Sequence, residues 1–351
     1  MPIMAPSVVS QRSTLSAQVG LAVGLGAVGL AASYLHQRRA QRPNDEAHWL
    51  QLALQIKART SAPRQSHFRV IAVVVFRTVA EGTGALGPVR HVVGCNDENN
   101  CLGGAICAER AAFVQFRNIE EPVRVLGVYI TTDSPVPITP GMLCREFMLA
   151  HPACEPDTKV AACGADGSTI YRTTLGELLP HASPYTRLNR GEQVAFGEAA
   201  TAALERPPPN TPQGKAYHAA SAACAGDARD ELHPVRYGAA IVFSDGSTHS
   251  VSQLKALEYG CTLDPVGLLA PGIQAKVKAG VRPTVVALVD QWGVAHAPFA
   301  PGRAYLSEYG CGDVQVVVHD FAGPGGGTLS TPLAATLAPS PPAFDTFGGG
   351  Q

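Results

Sequence analysis

The chain is short of charge of either sign. Only 16% of its 351 residues are charged, and 28 acidic side chains nearly cancel 27 basic ones to a formal net charge of -1. That balance lacks the basic excess with which a protein neutralises phosphates, so a nucleic-acid polymer is not an expected partner. The nine cysteines, at 95, 101, 107, 144, 154, 163, 224, 261 and 311, lack the density and regular spacing of a small disulfide scaffold. A cytosolic-type reducing compartment fits them better. Acidic residues are missing altogether from residues 1–44, which carry Arg12, Arg38, Arg39 and Arg42 around an uncharged run from Val19 to Leu35. Seventeen residues is the short limit for crossing hydrocarbon, and glycines at 20, 24, 26 and 29 lower the hydrophobicity of the run. A membrane anchor or signal-like segment is one reading of 1–44, and an organelle-targeting presequence is the other. With 46% hydrophobic residues, the remainder is ordinary globular sequence of about two domains.

From Asp45 the pattern becomes helical, with Trp49, Leu50, Leu52, Ala53 and Ile56 on one face and Asn44 or Asp45 as cap. Val70 to Phe76 is a nearly continuous β-branched run, the mark of a strand buried on both faces. Arg90 to Gly94 reads as its partner, with a turn over Gly82 to Gly87. Then comes Gly94 to Arg110, GCNDENNCLGGAICAER, leading into a helix expected over 105–117. A cysteine at a first helical turn faces unpaired N–H groups and the positive end of the helix dipole, which favours its thiolate. Cys107 is therefore a candidate metal ligand. Glu109, two residues on, would lie beside the metal without binding it, as a proton carrier for activated water must. A strand over Val123 to Thr131 and a helix from about Met142 to Ala150 follow, and this alternation suggests a sheet sandwiched by helices.

These residues resemble the cytidine deaminase family. Gly94, Cys95, Asn96, Glu98, Asn99, Gly103, Ile106, Cys107, Ala108, Glu109 and Arg110 match its first motif. Phe68 to Ala72 looks like its opening strand, and Thr174 to Pro180 like its closing segment. Zinc deaminases share a pattern of one Cys or His near a Glu, then Pro-Cys-x-x-Cys. Here the second motif reads Pro140-Gly141-Met142-Leu143-Cys144, so glycine stands where one thiolate is expected. The resemblance implies zinc held by Cys107 and Cys144, with Glu109 as the catalytic proton carrier. It implies that Asn96 and Glu98 bind the ribose, that Phe68 lines the base pocket, and that Arg110 and Arg145 support the thiolates. The activity implied is hydrolytic deamination of cytidine or deoxycytidine in pyrimidine salvage. Because catalytic zinc usually takes three protein ligands, a catalytically impaired paralogue that binds nucleosides is the alternative. A nearby thiol, Cys154 or Cys163, would be the substitute third ligand.

Glu205 to Pro212 is proline-rich and marks an extended linker, and the sequence after it is a worn copy of what precedes. Val235 to Ala239 echoes Phe68 to Ala72, and Arg303 onward echoes Arg145 onward. In the copy Asp264, Val266, Phe299 and Gly302 stand for Cys107, Glu109, Gly141 and Cys144. The expected fold is thus α/β, two tandem cytidine-deaminase-like α/β/α sandwich domains, each a mixed sheet flanked by helices. The expected divisions are an N-terminal segment 1–44, a catalytic domain 45–190, a linker 191–212, a degenerate domain 213–335 and a disordered tail 336–351. The family's two-domain members pair an active with an inactive copy, which implies a homodimer.

Overall fold

The computed structural model describes residues 45–321 and 327–336. The expected N-terminal segment with its run at 19–35, and the tail beyond 336, lie outside the described residues. Among the described residues no helix is long and apolar enough to cross a membrane.

The first half is built on a five-stranded mixed sheet in the order β2-β1-β3-β4-β5. Its elements in chain order are α1 (Glu46–Lys57), β1 (Val70–Val79), β2 (Leu86–Cys95), α2 (Ala108–Phe113), β3 (Val123–Thr132), α3 (Met142–Ala150), β4 (Lys159–Cys163), β5 (Ile170–Thr174) and α4 (Leu175–Leu178). Strand β1 pairs antiparallel with both β2 and β3, so it is an interior strand of the sheet. Its pleat sends alternate side chains to opposite faces, and both faces are covered. Ile71, Val73 and Val75 meet Trp49, Leu50 and Ala53 of α1. Ala72, Val74 and Phe76 meet Ala108, Ala112, Phe113, Cys144 and Met148 of α2 and α3. This double burial is why the strand reads as an unbroken apolar run.

Helix α1 starts where expected, with the Asp45 side chain accepting from the His48 N–H at 3.1 Å. The helix expected over 105–117 is shorter. Ile106 exchanges both backbone hydrogen bonds with Asp97, which keeps the chain extended up to Cys107. Ala108 is the first residue free to turn, and Val114–Asn118 tightens into a 3-10 turn.

The second half repeats the topology. After α5 (Arg190–Ala200) and α6 (Pro212–Ala223) come β6 (Tyr237–Phe243), β7 (Thr248–Ser252), α7 (Pro265–Leu268), α8 (Ala270–Lys278), β8 (Pro283–Asp290), β9 (Ala295–His296), α9 (Ala300–Glu308), β10 (Gln315–His319) and β11 (Thr328–Pro332). The sheet order is β11-β10-β8-β6-β7, with β9 pairing β8. Each half therefore has one parallel pair, β3 with β4 and β8 with β10, among antiparallel ones.

The stretch between the halves is more structured than a tether. Asn189 and Glu192 form a reciprocal capping box at the start of α5, and the Phe196 ring packs edge-on to Tyr185. A Cβ added to Gly197 would lie 2.2 Å from the Trp292 ring, so the helix sits directly on the second half. Tyr185 itself belongs to the core of the second sheet, where its hydroxyl donates to Asp290. Tyr185 and Leu188 thus pack with the second sheet, while Ala182 and Arg187 of the same segment hold to the first half.

Glycine is required where strands meet helices. A Cβ on Gly94 would fall 2.0 Å from the Ala108 carbonyl oxygen and 2.5 Å from the Ala112 nitrogen. Gly94→Ala should therefore force β2 away from α2 and destabilise the chain by about 1–3 kcal/mol or more. Gly103→Ala, whose Cβ meets nothing within 4 Å, is the matched control and should change stability by less than about 0.5 kcal/mol. Chemical denaturation of the two variants tests this, and equal midpoints would refute it.

Candidate active site

Two helix starts carry the chemistry. Cys107 is the N-cap of α2 at φ -77 and ψ 155, and Gly141 is the N-cap of α3 at φ -63 and ψ 161. Cys144 follows in the first turn of α3. The Cys107 and Cys144 sulfurs and a Glu109 carboxylate oxygen all lie within 4.8 Å of one another. Cys144 is fully buried and Glu109 only 3% exposed.

Each group changes the proton affinity of the others. A hydrogen bond with Cys144 is the main reason the Cys107 thiol is held down to about 6, against burial that raises it, and Arg110 at 3.7 Å adds to the lowering. The same hydrogen bond, followed by burial, pushes the Cys144 thiol well up. Burial pushes the Glu109 carboxyl up to about 7, and the neighbouring Cys107 raises it further. A carboxyl poised near neutral pH can both accept and return a proton.

A cavity of about 420 Å3 opens onto these groups, within the range of small-molecule sites of roughly 300–1,000 Å3. Phe68, Asn96, Glu98, Cys107, Glu109 and Gly141 all line it. Asn96 is held rigidly, accepting from the Val70 N–H at 2.8 Å and donating to the Phe68 carbonyl at 2.8 Å and to Glu98 at 3.2 Å. Glu98 in turn accepts from the Ser66 N–H at 2.8 Å and its hydroxyl at 2.9 Å. Ser66 lines the cavity too, and no feature of the sequence singles it out. Arg110 reaches the cluster through Cys107. Arg145 instead donates to the Pro140 carbonyl at 2.6 Å, the Leu178 carbonyl at 3.1 Å and the Thr139 hydroxyl at 3.0 Å, bracing the approach to α3 rather than binding either cysteine thiol.

The donor set fits a thiophilic divalent cation. Two sulfurs with a carboxylate beside them suit zinc, and the vacant side-chain position at 141 leaves the approach open, since a Cβ there would meet nothing within 4 Å. Neither substitute thiol joins the group. Among the described residues the only such cluster is Cys107, Glu109 and Cys144. Cys154 is buried elsewhere, its thiol pushed up to about 12 by desolvation. Cys163 packs with Trp49 on the other face of the sheet. Glu146 lies outside this cavity and accepts from the Ala300 N–H at the start of α9.

No protein-family model matches the chain, and no curated protein matches it. Among solved structures, the chain is similar to the cytidine deaminase of Burkholderia pseudomallei at 26% identity over 38% of this chain and 95% of that one, with a TM-score of 0.31. It is similar to the cytidine deaminase of Mycobacterium leprae at 23% identity over 39% and 98%, with a TM-score of 0.29. The cytidine deaminase of Mycobacterium tuberculosis aligns at 24% identity over 40% and 97%, with a TM-score of 0.29.

The thiol pair makes its own prediction. In chelator-treated protein, alkylation of Cys107 read by peptide mass spectrometry should rise through a midpoint near pH 6. Removing the hydrogen-bond partner by Cys144→Ala should move that midpoint up toward the ordinary thiol value of about 8.5. An unchanged midpoint would mean that the two sulfurs do not interact.

Proposed function

We propose that the chain is a zinc-dependent hydrolytic deaminase of cytidine or deoxycytidine, releasing ammonia and leaving uridine or deoxyuridine for pyrimidine salvage. The observation that carries this reading is the buried Glu109 carboxyl, with its pKa raised to about 7, beside the Cys107 thiol at the wall of a nucleoside-sized cavity and the Cys144 thiol buried behind it. Zinc, held by Cys107 and Cys144, would supply Lewis acidity that makes water nucleophilic at neutral pH. Glu109 takes the proton that water sheds as its oxygen adds to C4 of the pyrimidine. It delivers that proton to N3, then carries the proton left on the new C4 hydroxyl to the exocyclic nitrogen, so that the C4–N bond breaks, the C4 carbonyl forms and ammonia leaves. Asn96 and Glu98, fixed through Ser66, Phe68 and Val70, orient the sugar hydroxyls so that C4 faces Glu109. Phe68 covers the base.

Position 141 favours a second reading, in which the chain binds nucleosides without turning them over. Two thiolates hold a metal less firmly than three, and Gly141 offers no donor. Gly141→Cys separates the two, because the added side chain enters open space beside the cluster. In an impaired paralogue this variant gains zinc and activity together, whereas in a working enzyme it gains little.

A homodimer belongs to the same reading. Leu254, Leu257 and Tyr259 are large apolar side chains left 53%, 80% and 67% exposed on one short segment. A light-scattering mass equal to a single chain at micromolar concentration would exclude the dimer.

Glu109→Gln tests the mechanism. It should lower the rate constant for cytidine by about 10²–10⁴ or more while leaving the metal content unchanged, because the carboxylate moves protons and is not needed as a ligand. Turnover equal to the parent would remove Glu109 from the mechanism, and loss of the metal would make it a ligand.

A further inference from the structure

The second half keeps a cavity where the first half has its site. The two lie at matching points of one topology. The isolated bridges Asp97 with Ile106 and Leu254 with Leu263 are equivalent, each offset by 157 residues (254-97 = 157, 263-106 = 157). Ala105 and Thr262 share a backbone conformation, φ -64 and ψ 136 against φ -63 and ψ 129. The N-caps Gly141 and Phe299 do the same, φ -63 and ψ 161 against φ -63 and ψ 167. The second cavity has a volume of about 350 Å3, and its wall includes Tyr237, Gln253, Thr262 and Phe299 together with Glu146 and Gln193. Gln253 stands at the position of Asn96 and Thr262 at that of Ala105 (253-96 = 157, 262-105 = 157).

The reaction chemistry is gone from this place but the room is not. Val266, fully buried, stands for Glu109. Gly302 stands for Cys144, and a Cβ there would lie 2.8 Å from both Val266 Cβ and Asp264 Oδ2. Val266 and Asp264 have closed the corner where sulfur would be, and the rest of the cavity remains open.

Its polar groups define what it would hold. Gln193 donates through Nε2 to the Tyr185 and Leu188 carbonyls at 3.3 and 3.0 Å, which fixes the amide. Its Oε1 is buried and has no hydrogen-bond partner. Glu146 presents a carboxylate from α3, one oxygen accepting from the Ala300 N–H at 3.2 Å. Gln193 Oε1 is sealed from the cavity, so Glu146 is the acceptor that the wall offers to a donor on a ligand. Lys255 is the cation of the wall, but it already donates to the His233 carbonyl at 2.7 Å and pairs with Asp227 at 3.1 Å. No charge is left over for a phosphate. The rings of Tyr237 and Phe299, 5.0 Å apart and edge to face, offer an aromatic surface for a planar ring.

We propose that this second cavity binds a neutral nucleoside whose base carries an exocyclic amine, as cytidine does, without reacting it. Donors on the ligand meet Glu146, and its base lies on the aromatic wall. Helix α3 contributes to both cavities, Gly141 to the first and Glu146 and Ala150 to the second. The proposal rests on the functional reading only in taking cytidine as the ligand to try.

Equilibrium dialysis of labelled cytidine against the full chain carrying Glu109→Gln, to suppress turnover, tests it. Two cytidines per chain are expected. Thr262→Trp and Ala256→Trp, both in the second wall, should each remove one and keep the other, and Ala105→Trp in the first should do the reverse. The site that survives in each variant reports that the variant is folded. Cytidine monophosphate should compete at least tenfold more weakly than cytidine at the site sensitive to Thr262→Trp. One cytidine per chain that is lost in Ala105→Trp and kept in Thr262→Trp overturns the proposal and leaves the functional reading intact. One that is kept in Ala105→Trp and lost in Thr262→Trp supports the proposal and removes the nucleoside from the first cavity. Binding at neither site overturns both.

Discussion

Everything at the site depends on two thiols and one carboxyl being buried against one another. Cys107, Cys144 and Glu109 come from two helix starts, with Cys144 and Glu109 buried and Cys107 half-buried at the cavity wall, so little water is left to separate their charges. In that setting one sulfur can be ionised cheaply and the second cannot, which is why the Cys107 thiol falls to about 6 while the Cys144 thiol rises. A divalent cation held by both sulfurs would resolve the conflict by taking the place of their protons. The frame exists to hold this arrangement. Gly94 lets β2 touch the backbone of α2, the Asp97 and Ile106 bridge delays that helix until Cys107 is its cap, and Arg145 ties the loop before α3 to Leu178.

The second half shows which parts are frame and which are chemistry. Arg303 repeats Arg145, donating to the Pro298 carbonyl at 2.6 Å, as Arg145 does to Pro140. It also reaches the Thr336 carbonyl where Arg145 reaches Leu178. A buried guanidinium that satisfies loop carbonyls is costly to lose in either half, so both keep it. The thiols and the carboxyl serve no such purpose, and in the second half Asp264, Val266 and Gly302 occupy their positions. Arg303 also donates to the Pro180 and His181 carbonyls, so this brace fastens the segment leaving the first sheet to the second.

Much of this was legible in the sequence, wherever the information was local. The Val70 to Phe76 run, the Asp45 cap and the Met142 to Ala150 helix stand as read, because burial on both faces and capping leave direct marks on composition. So does the meeting of Cys107, Glu109 and Cys144. What was not legible depends on contacts far apart in the chain. The helix at Arg190–Ala200 lies on Trp292, about a hundred residues away. Ser66 matters only because the fold brings Glu98 to it. Glu146 follows Cys144 by only two residues, yet its side chain lies outside the first cavity and accepts from the N-terminus of α9. Cys154 and Cys163 were plausible ligands by number alone, but Cys163 lies across the sheet with Trp49 and Cys154, though in the same core as Cys144, does not join the cluster.

The central claim is that Cys107 and Cys144 alone supply the sulfur of a working metal site. X-ray absorption at the zinc edge of the native protein tests it most directly. The account predicts one zinc per chain with two sulfur neighbours at about 2.3 Å and lighter oxygen donors completing the shell. A zinc surrounded by three or four sulfurs, or a purified chain that holds no zinc after saturation and dialysis, would contradict it.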